Sequence, residues 1–236
     1  MILPNLIIGG CHKSGTTSIY NYLRQHPKVD SPNIKEIHYY TPLRYGKKIN
    51  DLNFYSNFFE GLDINSEYLL DASPSYLYGG EIIKDKIYDD LKSPKIIFCL
   101  RNPVDRLISY FKKRVLDGSI RSDTDFLDFS KKSKLLSLDI EVDNPINRAY
   151  REGLYYIYLS KWVDKRDDII LIFFDDIVNN SQKVMKNLSE KLNIDSSFYD
   201  NFNFAIHNKS FQPKSGLLHT FASKLNRFST KFISRN

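Results

Sequence analysis

The sequence predicts an α/β fold in three layers, with a central, mostly parallel sheet of four to five strands. Two observations carry this. Short apolar runs rich in β-branched and aromatic residues, "NLIIGG", "KIIFCLRNP" and "IILIFFDD", each break off at polar residues, as buried parallel strands do. Helix-like stretches alternate with them, and strand, helix, strand in succession closes most simply as right-handed parallel crossovers. With 236 residues, 42% of them hydrophobic, the chain suits one core, so a single domain over 1–236 is expected, ending in a basic helical tail over about 216–236.

In chain order, "NLIIGG" is the first strand, and a helix over 16–25 follows its glycine-bearing loop. A helix is expected over roughly 51–59, then a weaker strand at "EYLLDAS" and a helix over 80–91. "KIIFCLRNP" leads into a helix over 103–116. Pro103 suits its first position, Asn102 is able to cap it, and Asp105 lies near the positive end of the helix dipole. One helix is expected over 147–163 and another over 181–192, the latter capped by Ser181, with Val184, Leu188 and Leu192 forming an apolar face.

Composition narrows the function classes. No run of about 20 apolar residues occurs and no secretory leader is visible, so the chain is expected to be soluble and cytoplasmic. The two cysteines, Cys11 and Cys99, are too few for a disulfide scaffold and have no metal-ligand spacing. A net charge of +6 favours an anionic ligand, although basic and acidic residues are interspersed. The exception is the tail, where Lys224, Arg227, Lys231 and Arg235 meet no acid. That tail is either a solvated helix or a weak contact with a membrane surface or an anionic polymer.

The loop "GGCHKSGTTS" carries the first chemistry. Strand, glycine-bearing loop and helix start in that order suit a backbone anion nest, because amides at a helix N-terminus point at the ligand. Gly10, Gly15 and Thr17 fit G-x-x-x-x-G-K-[ST], but Thr16 fills the lysine place. Lys13 instead lies inside the loop, with Ser14, Thr16 and Thr17 as hydroxyl donors around a shorter anion. A structural glycine turn is the alternative. A second anion site is offered by Arg101, at the C-terminal end of a strand where open α/β sheets bind ligands, and by Ser109 two turns into the next helix. Arginine's planar fork matches phosphate geometry.

Together "GCHKSGTTSIYNYLRQHPKV" and "KIIFCLRNPVDRLISYF" resemble the 5′-phosphosulfate loop and the 3′-phosphate motif of sulfotransferases that use 3′-phosphoadenosine 5′-phosphosulfate (PAPS), a P-loop-like family. The resemblance implies that residues Cys11, His12, Lys13, Ser14, Gly15, Thr16 and Thr17 cradle the 5′ side. It also implies that Lys13 contacts the oxygen bridging phosphate and sulfate, and that Arg101 and Ser109 hold the 3′-phosphate. "NIKEIHYY" is similar to the K-E-x-H-[FY]-[FY] element of the carbohydrate-type members, which implies Glu36 as general base, with His38 as second choice and Lys35 beside them. "DASPSYLY" resembles a heparan-type element, with Ser73 and Tyr76 as fits on the substrate side, but Ala72 stands in the lysine place. That departure argues against a glycosaminoglycan acceptor unless Lys35 or Arg148 supplies the cation. "REGLYYIYLSKWV" resembles the family's G-x-Y helix, with Tyr155 as an aromatic candidate for the acceptor pocket, and "HNKSFQPKS" resembles its closing loop, with Lys209 and Lys214 as further 3′-phosphate candidates.

The expected function is therefore transfer of a sulfuryl group from PAPS to a hydroxyl of a saccharide or small-metabolite acceptor, without a metal and without a nucleic-acid partner. The alternatives are a nucleotide kinase or NTPase using ATP and magnesium, with Asp71 or Asp175 as metal ligand, and a basic nucleic-acid-binding module.

Overall fold

The computed structural model describes residues 1–63, 65–136, 145–163 and 168–205. Lys209, Lys214 and the basic tail lie outside the described residues. Those described fall into two compact units, one of Met1–Asn102 with the residues from Leu154 on, the other of Pro103–Gly153.

In the first unit a sheet of five strands runs β1 (Leu6–Gly10), β2 (Val29–Asp30), β3 (Tyr68–Ala72), β4 (Lys95–Leu100) and β5 (Ile169–Phe173), in the spatial order β2-β3-β1-β4-β5. All four pairings are parallel. Successive residues of a strand point to opposite faces, so Leu6 and Ile8 enter one core while Ile7 enters the other, and Ile97 and Cys99 part in the same way from Ile96 and Phe98. The helices α1 (Thr16–Leu23), α8 (Phe174–Asn179) and α9 (Ser181–Leu192) supply apolar residues to the first core. The other face is covered by α2 (Leu52–Ser56), α3 (Gly80–Leu91) and α7 (Tyr155–Trp162), with Tyr55, Ile83, Ile87, Tyr158 and Trp162 buried there. The expected three-layer parallel arrangement is therefore the observed one. The connections from β1 and β4 leave in opposite directions along the sheet, which makes the C-terminal ends of these two neighbouring strands the switch point, the place where open α/β sheets bind ligands.

The second unit is helical, with α4 (Pro103–Leu116), α5 (Phe126–Leu136) and α6 (Pro145–Arg151) around a core of Leu107, Tyr110, Ile120, Phe129 and Ala149. Among the described residues no helix is long and apolar enough to cross a membrane.

Several elements differ from expectation for identifiable reasons. The helix expected over 147–163 is two helices, α6 and α7, interrupted at Gly153, where a β-carbon would stand 3.2 Å from the Tyr150 carbonyl oxygen and 3.6 Å from the Arg106 guanidinium. The run "IILIFFDD" ends as a strand at Phe173 and becomes α8, whose first turn holds Asp175 and Asp176 at the favourable end of the helix dipole. The cap of α9 is Asn180, whose side chain accepts from the Lys183 amide at 3.0 Å, while Ser181 donates its hydroxyl back to the Ile177 carbonyl. The two-residue strand β2 and the helix α5 carry too little apolar periodicity to stand out in the sequence.

Candidate active site

The loop between β1 and α1 begins pinned to its neighbours. The Cys11 amide donates to the Cys99 carbonyl at 2.9 Å and the His12 amide to the Tyr78 hydroxyl at 3.2 Å. Cys11 is fully buried, and the His12 ring stacks on that of Tyr78. These two residues, expected among the anion ligands, thus commit their amides to shaping the entry of the loop. Gly10 is required by packing, since a β-carbon there would lie 2.7 Å from that of Leu77. Gly15 is required by conformation: it caps α1 with φ 89°, and its carbonyl accepts from the Ser18 and Ile19 amides. Lys13 itself has φ 68°, as do Glu36 and His38 at 65° and 57°, so three of the five non-glycine residues with positive φ among those described fall on the segments singled out for chemistry. Strained backbone of this kind concentrates at functional sites.

Around the loop, two polar atoms wait for a partner. The Ser14 hydroxyl is fully buried and without a hydrogen-bond partner, and so is the Nε of Arg101. Buried donors are rarely left unsatisfied in a folded protein, and anionic oxygens are the partners such donors fit. Arg101 follows β4; its Nη1 reaches the Lys13 carbonyl at 3.4 Å, its guanidinium lies 4.1 Å from the centre of the Phe174 ring, and its own carbonyl accepts from the Tyr155 hydroxyl at 2.8 Å. Tyr155, expected to face an acceptor, therefore holds the Arg101 backbone. Thr16 is buried and Thr17 half-buried at the first turn of α1.

The second chemical segment lies before and after β3. Lys35 donates to Glu36 Oε1 at 2.7 Å, and His38 Nε2 faces Glu36 Oε2 at 3.4 Å. The hydrogen bond from His38, and then that and the charge of Lys35, with a smaller effect of His12, lower the Glu36 pKa to about 2 against the opposing effect of burial. The His38 amide donates to Ser73, whose hydroxyl donates to Asp71 Oδ1 at 2.8 Å; the Tyr55 and Tyr76 hydroxyls donate to Asp71 Oδ2 at 2.7 and 2.8 Å. Burial raises the Asp71 pKa despite these three donors. Ser73 and Tyr76, expected on the substrate side, are fully buried and commit their hydroxyls to Asp71, and Ser73 also holds the His38 amide. The same bonds occupy both oxygens of Asp71, and Asp175 stands exposed on α8, an arrangement unlike a strand-end metal ligand beside a phosphate loop. Burial also pushes the Cys99 thiol up to about 12, which makes it inert.

In the second unit, Ser109 is half-buried on α4. Arg148, considered as a substitute cation, has its Nε 3.3 Å from the Tyr110 hydroxyl and pairs with the buried Glu152 at 4.0 Å. Glu152 also pairs with the fully buried Arg106, which donates to the Ala149 carbonyl and so ties α4 to α6. Arg106 is the second arginine of "RNPVDR", a fixed place whose role the motif alone leaves open.

Residues 3–235 match the model of the sulfotransferase domain. The chain belongs to this family. Among its relatives the bifunctional heparan sulfate N-deacetylase/N-sulfotransferase 2 of Homo sapiens is 25% identical over 201 residues, 81% of this chain and 22% of that protein. Carbohydrate sulfotransferase 15 of Mus musculus is 25% identical over 248 residues, 81% of this chain and 44% of that one. The chain thus spans less than half the length of these curated relatives. Its fold resembles a crystal structure of a sulfotransferase from Alicyclobacillus acidocaldarius, with a TM-score of 0.73 and 25% identity over 89% of this chain and 87% of that one. It also resembles the mouse sulfotransferase SULT7A1 complexed with PAP, with a TM-score of 0.54 and 14% identity over 93% and 63% of the two chains.

Proposed function

We propose that this sulfotransferase moves a sulfuryl group from PAPS to a hydroxyl of a saccharide or small metabolite. The observation that carries the reading is the pair of buried, partnerless donors, Ser14 Oγ and Arg101 Nε, beside a loop whose lysine lies inside it. In this reading Lys13 meets the oxygen that bridges phosphate and sulfate and stabilises the charge left there as the sulfur–oxygen bond breaks. Ser14 and the first turn of α1 hold the 5′-phosphate, and Arg101 takes the 3′-phosphate, kept in place by the ring of Phe174 and the hydroxyl of Tyr155. Ser109 joins that assignment on its motif alone.

Glu36 accepts the proton of the acceptor hydroxyl as that oxygen bonds to sulfur, and the product is 3′-phosphoadenosine 5′-phosphate (PAP). A carboxylate held this far below the usual range is a weak base but is always ionised, which suits a reaction in which leaving-group stabilisation matters most and the base removes the proton late. The names of the relatives favour a saccharide, whereas Ala72 at the end of β3 and the bonding of Lys35 to Glu36 argue against a polyanionic chain as acceptor.

Labelled PAPS offered with a panel of saccharides and small hydroxyl compounds tests the proposal. Transfer is expected in the wild type and a loss of about 10²–10³-fold in Lys13→Ala and Arg101→Ala. Preference for ATP with magnesium over PAP would overturn it.

A further inference from the structure

Two hydroxyls to which no motif assigns a role, those of Thr41 and Ser75, converge on His38. His38 Nδ1 lies 2.9 Å from Ser75 Oγ and 3.4 Å from Thr41 Oγ1, and the two hydroxyls are 2.5 Å apart. The backbone of His38, in the left-handed region, is gripped at both of its polar groups: its amide donates to Ser73 at 3.0 Å and its carbonyl accepts from the Thr41 amide at 3.0 Å. Ser75 is buried and follows Asp71 and Ser73 in the same strand end.

The chemistry of the ring follows from its neighbours. Nε2 faces the carboxylate of Glu36, and a bare nitrogen lone pair would repel that anion, so the proton of neutral imidazole belongs on Nε2. Nδ1 then needs a donor. A chain in which Thr41 donates to Ser75 and Ser75 donates to Nδ1 supplies it with every bond in a consistent direction. The other charged groups bearing on the pair are Lys35, bonded to Glu36, His12, whose charge reaches Glu36, and Asp71, which interacts with His38 through space. None of them competes for Nδ1.

We propose that Thr41 and Ser75 are positioning residues for the proposed base, holding His38 as the Nε2–H tautomer so that it orients the Glu36 carboxylate. The inference rests on the reading of Glu36 as the base, and its test separates the two. In ¹⁵N-histidine-labelled wild-type protein, imidazole resonances at neutral pH, with that of His38 identified by its loss in His38→Gln, should show a protonated Nε2 and a bare Nδ1. In Ser75→Ala/Thr41→Val the tautomers should mix, and kcat should fall about tenfold with KM for PAPS unchanged, while Ser75→Thr keeps wild-type kcat. A proton on Nδ1 in the wild type, or an unaltered kcat in the double variant, overturns the proposal. The wild-type tautomer is read without turnover and without any altered network residue, so it decides the ground-state arrangement even if the protein transfers no sulfuryl group, an outcome that would remove the proposed function instead.

Discussion

The loop of residues 10–17 and the segment of residues 35–38 both hold a lysine and residues in the left-handed backbone region, yet they are built in opposite ways. The loop is local: Gly10 and Gly15 shape it, α1 begins at its end, and the buried Ser14 hydroxyl is left without a partner. The 35–38 segment is assembled from far along the chain, with Ser73 and Ser75 bonding to His38 across 35 and 37 residues and with Glu36 already carrying two partners. An unsatisfied site is ready for a ligand, whereas a satisfied one is ready to act on what the ligand brings. In the proposed reaction the contrast assigns the loop to the donor and the 35–38 segment to the acceptor.

The sharpest way to break this comparison is to remove Lys13 or Arg101. The donor side should then fail as a whole, with the loss of about 10²–10³-fold in transfer given above and with weaker PAP binding by calorimetry. Glu36→Gln should separate the two sides: transfer falls about 10²-fold while PAP affinity is unchanged, because the loop keeps all its groups. Its pH dependence follows from the depressed pKa. The carboxylate stays charged far below neutrality, so no loss of transfer from its protonation is expected in a pH series from 7 to 5. Any stabilisation it gives the fold is present above its ordinary value of 4.5 and is lost only as pH falls through about 2.

Asp71→Ala tests whether the acceptor side depends on its buried hub. Two tyrosine hydroxyls and Ser73 would lose their acceptor, and unfolding by denaturant should show a loss of about 3 kcal/mol. The smallest expected effect is that of Phe174→Ala, which removes the ring beneath Arg101. PAP affinity should weaken by about threefold to fivefold, as a partly exposed cation–π contact allows, without a change in pH behaviour.

The same contrast explains what the sequence disclosed. Four of the five strands were legible because β1, β4 and β5 are continuous apolar runs and β3 ends in a recognisable turn, but β2 has only two residues. The expectations for Lys13 and Arg101 came from spacing within one short segment each. For Ser73 and Tyr76 nothing local reveals that their hydroxyls turn inward to Asp71. Thr41, Ser75 and Phe174 had no signal at all: their roles exist only through contacts made by distant parts of the chain.

The most direct measurement is a calorimetric titration of the wild type and Lys13→Ala with PAP in the absence of magnesium, set against ATP with magnesium. The account predicts that the wild type binds PAP more tightly than ATP with or without the metal, and that Lys13→Ala loses most of that affinity. Tighter binding of ATP with magnesium, or PAP binding indifferent to Lys13, would contradict it.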